Sequence, residues 1–463
     1  MKKLFTILII LIGCSVQLSK AEVQKAGIEK IDLSFAQAYA LMLENNNSLK
    51  AYNTAIKKSK YEKNSAVGQF MPKVVFNSTY IHFSDNMSLT SHASIPGFPM
   101  QATATTLIQD KNLFTVGGGV IWNIFTGGKL LSNNATARAK LEATNEKYNE
   151  IVDTLTLDLV KRYYGLRLAR DVVEVRKSVA EGLEQHLKDA KLLEKEGIIS
   201  KAERLHAEVA NEEAQRNYKA ALRDANVVEE GLKVLIKEEK ANLKDVRIEP
   251  SSLLFVYNDS TIDVNEMKKN VIKNNPQLKQ LQAKKKIMNA KYHAHAGDYL
   301  PTVSLFAYNI TGASNLSEAI PRNMIGGSVN LLLFDGFSRY NDLKAADCDR
   351  KIVDFELSDA KNQLESLVVK QYEELMKNKE RFDSSEKAIE AAQEALRTAD
   401  LAFKEGLGTS LQVTDAQLML SKVKIERLNA IYNYDVTLTD LLKTNGDTKE
   451  ILNYISTSKT EQL

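Results

Sequence analysis

Proline and glycine are scarce in this sequence, with 7 prolines and 21 glycines among 463 residues. Average proteins contain roughly 5% proline and 7% glycine. None of the prolines falls within residues 100–249 or 322–463. Because proline interrupts helices and is common in turns, two proline-free stretches of this length argue against a series of ordinary small domains. They predict very long helices.

The chain also has only two cysteines, and it does not repeat the apolar runs of about 20 residues that membrane-spanning helices need. Two cysteines cannot build a disulfide framework, and a protein that crosses the membrane with many helices is excluded. Charged residues make up 26% of the chain, with a net charge of only +3 and both signs interspersed. This balance does not indicate a nucleic-acid partner.

The N-terminus has the features of an export signal. Lys2 and Lys3 precede an apolar segment that is too short to span a membrane. Small residues up to Ala21 predict a signal peptide of residues 1–21. Alternatively, residues 11–14 resemble a bacterial lipobox, in which cleavage precedes an acylated Cys14. Both possibilities stay open, and both take the chain out of the cytoplasm.

The chain contains an internal tandem repeat. Residues 45–50 align with residues 274–279, and residues 117–197 align with residues 326–406 without a gap. The spacing between the copies falls from 229 to 209 positions, so the first copy carries 20 extra residues. A register held over about 80 residues indicates a duplication.

Each copy is predicted to contain a helix, two strands and a long helical hairpin. Repeat 1, residues 22–238, has a helix at 32–68, strands at 73–83 and 113–125 around a loop at 84–112, and a hairpin at 128–238. Repeat 2, residues 263–446, has a helix at 263–297, strands at 302–310 and 324–334, and a hairpin at 337–444. Residues 239–262 are predicted to be a linker, and residues 447–463 a C-terminal tail.

Apart from Lys73 at the start of the first one, the predicted strands contain no charged residue, in a chain that is otherwise rich in charge. Residues 113–125 alternate between an apolar or small face and a face that includes Thr115 and Asn123. Segments of about 10 residues with this alternation are typical of transmembrane β-strands. Hairpins packed on a soluble core are the alternative. Four strands cannot close a barrel, and open edges in a bilayer cost several kcal/mol for each unsatisfied backbone group. A membrane location therefore requires several chains.

The helical stretches of about 70 residues would each be roughly 100 Å long. No globular domain needs such a helix, so each must pack along its length in a bundle or coiled coil.

Residues 402–416 contain Phe403, Gly406 and then Asp415 followed by alanine. With the duplicated halves, the two strands in each half and the proline before each first strand, this pattern resembles the TolC family of bacterial outer-membrane efflux ducts. The resemblance implies a mainly α fold with a small β part. In that fold, long antiparallel helical hairpins form an α-barrel tunnel. Four strands per chain contribute to a trimeric, 12-stranded transmembrane β-barrel.

The resemblance also implies functional residues at the periplasmic tips of the hairpins. Asp415, Glu203 and Phe403 would lie at the pore entrance, and Gly197, Gly406 and Gly408 would form the helix turns. Three copies of Asp415 around a narrow axis would form an acidic ring that favours cations. A solvated acid on a helix surface is the alternative.

Two tip residues depart from the best-known member of that family. Gly408 stands where that member has a basic residue, and Gln412 stands where it has an acid. The salt-bridge latch of that member is therefore not expected to form in this chain.

Motifs for catalysis and for metal binding are missing. The sequence has no HExxH, CxxC, GxSxG or dinucleotide-binding pattern. His293 and His295 lack cysteine or acid partners that would make them a convincing metal site. His186 and His206, on either side of the first hairpin turn, are expected to be a surface pair. No cofactor and no enzymatic activity are indicated.

The leading hypothesis is a passive outer-membrane exit duct that extends into the periplasm. The resemblance implies a homotrimer in outer-membrane lipid, working with a periplasmic adaptor protein and an inner-membrane transporter. The sequence does not distinguish RND, ABC and MFS transporters, and it does not reveal the substrate. The alternative is a structural periplasmic coiled-coil or adhesin-like protein without a pore.

Overall fold

A computed structural model describes residues 29–94, 96, 101–236, 246–252, 263–318 and 320–457. The predicted signal peptide, with its alternative cleavage sites at Cys14 and Ala21, lies outside the described residues.

The elements that the two repeats share follow each other in the same order. Repeat 1 contains β1 (Glu29–Leu33), α1 (Phe35–Asn45), α2 (Asn47–Gly68), β2 (Lys73–His82), β3 (Met87–Ser94), β4 (Gln101–Gln109), β5 (Asn112–Thr126), α3 (Lys129–Lys195) and α4 (Lys201–Ile236). Strand β6 (Val246–Pro250) lies between the repeats. Repeat 2 contains α5 (Val264–Asn274), α6 (Pro276–Ala296), β7 (Thr302–Ser314), β8 (Asn323–Asn330), α7 (Ser338–Lys404) and α8 (Ser410–Asn445), followed by α9 (Glu450–Thr457).

The two long hairpins have matching lengths, which confirms the duplication. Helices α3 and α7 each have 67 residues, and α4 and α8 each have 36. Each long helix packs against its hairpin partner, and α3 also packs against α8. The two hairpins therefore lie side by side, and their turns are at the same end. None of the described helices combines the length and the low charge that a membrane span needs.

Strands from both repeats form one antiparallel sheet in the order β2-β5-β7-β8. The central pair, β5 with β7, joins the repeats, with Gly118 opposite Asn309. Among the described strands, β2 and β8 each pair on one side only. Both outer strands expose large apolar side chains, including Val74 and Ile325, which are 83% and 90% exposed.

The largest apolar core lies midway along α3, where this helix meets α1 and the C-terminal half of α8. The Phe35 ring lies 5.4 Å from the Tyr163 ring and 5.6 Å from the Tyr164 ring, and all three side chains are fully buried. Strands β1 and β6 pair in parallel beside this core. The linker expected at residues 239–262 therefore includes a short strand.

The two shorter helices predicted from the sequence, at 32–68 and 263–297, are each divided into two helices in the structure. The Asn46 side chain accepts hydrogen bonds from the backbone amides of Ser48 and Leu49, which ends α1 and starts α2. Asn275 caps α6 in the same way through the amide of Leu278, just before Pro276. A side chain that satisfies free amides begins a new helix even where the apolar spacing continues.

The expected loop at 84–112 contains a second hairpin, made of β3 and β4. Gln109 fixes its base, because its side-chain amide donates to the carbonyl oxygen of Asn315 and its oxygen accepts from the amide of Ser317. The 20 extra residues of repeat 1 thus extend the sheet region and are held by repeat 2. The expected strand at 324–334 ends earlier, at Asn330.

Candidate functional site

The two hairpin turns have the same backbone conformation. Gly197 and Gly406 adopt φ values of +76° and +72°, a region that favours glycine. In the first turn, the amide of Ile198 donates to the carbonyl of Leu193 at 2.9 Å. In the second turn, the amide of Leu407 makes the equivalent bond at 2.8 Å. Both long helices therefore end in the same type of glycine cap.

The second turn leaves little room beside Gly408. A Cβ atom at this position would lie 3.0 Å from the backbone nitrogen of Phe403 and 3.2 Å from the carbonyl carbon of Ala402. The amide of Gly408 donates to the Ala402 carbonyl oxygen at 3.0 Å. A larger residue would therefore require the backbone to shift by a few tenths of an ångström, and Ile199 occupies the equivalent position of the first turn.

Glu203 joins the tips of the two hairpins. Its Oε2 atom accepts a hydrogen bond from the backbone amide of Ser410 at 2.7 Å. Ser410 is the first residue of α8, where the amides have no partner within the helix. Glu203 also lies in the first turn of α4, so one carboxylate stabilises the N-termini of two helices. The structure places this half-buried side chain between the hairpins.

Phe403 is fully buried, which corrects the expectation that it lines an entrance. It packs with Leu187, Ala190, Ala207 and Val413, so its cluster draws on all four long helices. This cluster holds the tips of the two hairpins against each other. The sequence predicts the position of Phe403 along its helix. The neighbouring hairpin determines which way its side chain points.

His186 and His206 do not form the expected surface pair. His206 is exposed, whereas the His186 side chain is only 3% exposed and its ring centre lies 4.5 Å from that of Phe403. The His186 Nε2 atom lies 2.8 Å from the Ser410 hydroxyl oxygen. Burial lowers the pKa of His186 below its ordinary value, against the opposing effect of nearby acids.

The sequence contains a signal for the burial of His186. Val179, Leu183, His186 and Ala190 follow the spacing of a single helical stripe, and all four are buried. The histidine occupies a core position between apolar residues.

Asp415 lies on the exposed side of α8, about one and a half turns after Ser410. Among the described residues, no cationic side chain pairs with its carboxylate within 4.0 Å. Two cations near the tip pair with other acids instead, since Arg204 lies 2.8 Å from Glu194 and Lys404 lies 2.7 Å from Asp400. The charge of Asp415 is therefore directed to solvent.

Within the part of the chain that the structure describes, no three histidine, cysteine or acidic side chains lie close enough together to hold a metal ion. His293 is exposed, and His295 faces Asp298 at 3.6 Å.

Comparisons with known proteins agree on one family. The sequence profile described as "Outer membrane efflux protein" matches residues 38–236 and 268–447. No curated protein sequence matches the chain.

Solved structures of outer-membrane channels share the fold. The Neisseria gonorrhoeae MtrE channel in its open state matches with a TM-score of 0.71 at 18% identity, covering 92% of this chain and 94% of that one. The Campylobacter jejuni CmeC channel matches with a TM-score of 0.73 at 14% identity, covering 91% and 89%. Vibrio cholerae VceC, an outer membrane protein, matches with a TM-score of 0.73 at 13% identity, covering 89% and 96%.

Proposed function

Because the chain belongs to the outer membrane efflux protein family, we propose that it is the exit duct of a tripartite efflux or type I secretion system. Its sheet spans the outer membrane, and its hairpins extend into the periplasm. The duct is passive and is not an enzyme, since an inner-membrane pump moves the substrate. The single observation that carries this proposal is a four-stranded sheet with two open edges, joined to paired helices of 67 and 36 residues.

In a homotrimer, the backbone groups along the open edges of the sheet gain hydrogen-bond partners. If β8 of one copy pairs with β2 of the next, three copies close a barrel of twelve strands, and every edge amide gains a partner. The exposed apolar side chains of Val74, Phe76 and Ile325 then face lipid. Six hairpins, two from each copy, surround the tunnel below the barrel.

The partners follow from this arrangement. A duct that ends in the periplasm needs a transporter in the inner membrane and an adaptor protein that joins the two. The transporter belongs to the RND, ABC or MFS class, and outer-membrane lipid surrounds the barrel.

Asp415 is the residue that we propose for the entrance. Three uncompensated carboxylates near the axis raise the local concentration of cations and repel anions. Asp415→Ala is expected to shift the reversal potential of single channels in a salt gradient towards lower cation selectivity. Glu196→Ala, which removes an exposed acid from the turn of the other hairpin, is the matched control.

An unchanged reversal potential in Asp415→Ala would remove this residue from the conducting path. A protein that needs no detergent and forms no channel would instead support the structural coiled-coil alternative.

A further inference from the structure

His186 occupies an unusual position at the junction of the two hairpin tips. Its ring lies in α3, against Phe403 at the end of α7 and the Ser410 hydroxyl at the start of α8. The Nδ1 atom is buried and has no hydrogen-bond partner among the described residues. The neutral ring fits this site when Nε2 carries the proton and donates to the Ser410 hydroxyl, because only the lone pair of Nδ1 is then left without a partner.

A protonated ring does not fit the same site. The added proton turns both ring nitrogens into donors, and Nδ1–H would then be buried without an acceptor. The cation would also face the N-terminus of α8, where the helix dipole is positive. Both effects oppose protonation as long as the tips remain in contact.

Charged groups from three helices surround the ring. Asp189 lies on α3, Glu203 on α4, and Asp400 and Lys404 on α7, while α8 contributes the hydroxyl of Ser410. The acids favour a protonated ring, but Lys404 lies 2.7 Å from Asp400 and 3.7 Å from Asp189. Lys404 therefore offsets the two carboxylates that could best stabilise the cation.

We propose that His186 is a pH-sensitive clasp, which holds the two hairpin tips together at neutral pH and releases α8 from α3 when the periplasm becomes acidic. This inference rests on the proposed duct, whose entrance lies at these tips. Acidification thereby favours the open entrance.

The sign and the size of the effect follow from proton linkage. Burial lowers the pKa of His186 in the closed tip, so the open tip binds the proton more readily. The closed state is favoured above the ordinary histidine pKa of roughly 6.5 and loses its advantage as the pH falls below that value. Between about pH 7.5 and about pH 5.5, the ratio of open to closed tips is expected to rise by up to about tenfold.

Amide hydrogen exchange of the intact protein in detergent tests the clasp. After correction for intrinsic exchange rates, residues 403–415 of the wild type should lose protection over that pH range, by up to about tenfold. His186→Gln, which cannot titrate, should show no such loss. His206→Gln removes an exposed histidine at the same end of the hairpin and should behave as the wild type does. Equal pH dependence in His186→Gln and the wild type would overturn the proposal.

A second variant decides the matter if His186→Gln does not assemble. Lys404→Gln leaves the imidazole in place but frees Asp189 and Asp400 to stabilise its cation. A higher pKa of the ring in the closed tip narrows its difference from the open tip, so the loss of protection should become smaller, and an unchanged loss would contradict the clasp. The conductance of the wild-type protein is measured in a separate experiment, which tests the duct itself. A protein that never conducts would refute the duct, whereas the exchange data would still decide the role of His186.

Discussion

Replacing Glu203 with alanine is expected to loosen the contact between the two hairpin tips. The carboxylate accepts the amide of Ser410 across the hairpin interface at 2.7 Å. The variant leaves this amide, in a residue that is fully buried, without its partner. It also removes a negative charge from the first turn of α4.

The size of the effect can be worked out from these two interactions. A hydrogen bond to a charged group contributes about 1.5–3 kcal/mol, and an acid at a helix N-terminus contributes about 0.3–1 kcal/mol. Because Glu203 is half-buried, we take the lower part of these ranges, about 2 kcal/mol in total. Local opening of the tip should then become about thirtyfold more frequent.

Amide hydrogen exchange of residues 403–415 measures this opening at constant pH. Glu196→Ala is the control, since it removes an exposed acid near the same turn and should change local stability by less than about 0.5 kcal/mol. Glu203→Gln keeps an acceptor oxygen without its charge and should lose about half as much as alanine. If Glu203→Ala and Glu196→Ala exchanged at the same rate, the contact between Glu203 and Ser410 would not hold the tips together.

Two further predictions concern glycines. Alanine at Gly197 or Gly406 should destabilise its turn by about 1–2 kcal/mol, because L-residues are strained at positive φ. Amide exchange rates in these turns equal to those of the wild type would contradict the predicted strain. Gly297→Ala places a methyl group against the carbonyl oxygen of Gly127, at the junction of sheet and helices, and should prevent formation of a heat-stable trimer on gels. Gly68→Ala, at the equivalent position of repeat 1, meets no atom within 4 Å and should assemble normally.

The duplication and the long hairpins could be predicted because they are periodic properties of the chain. The gap-free register of residues 117–197 with residues 326–406, and the lack of proline in both, are enough to place two matching hairpins. Charge-free alternation likewise identifies the strands. It could also have indicated the hairpin of β3 and β4, whose residues are uncharged apart from His92.

The breaks at Asn46 and Asn275 were missed because apolar spacing continues on both sides of each residue. They depend on a side-chain oxygen that bonds to backbone amides two or three residues further along, and a count of apolar positions does not detect this.

The contacts of Phe403 and Glu203 at the hairpin interface were missed for a different reason. A family motif predicts the position of a residue along its helix, whereas packing against the neighbouring hairpin determines which way the side chain points. Phe403 and Glu203 point into that interface, and only Asp415 of the three predicted entrance residues is exposed.

Single-channel recording of the purified wild-type protein in a planar lipid bilayer, at neutral and at acidic pH, shows directly whether the chain forms a conducting duct. A trimeric duct should give stable channels of uniform conductance that prefer cations and open more often at acidic pH. Folded trimers that insert into the bilayer and carry no current at either pH would rule the duct out.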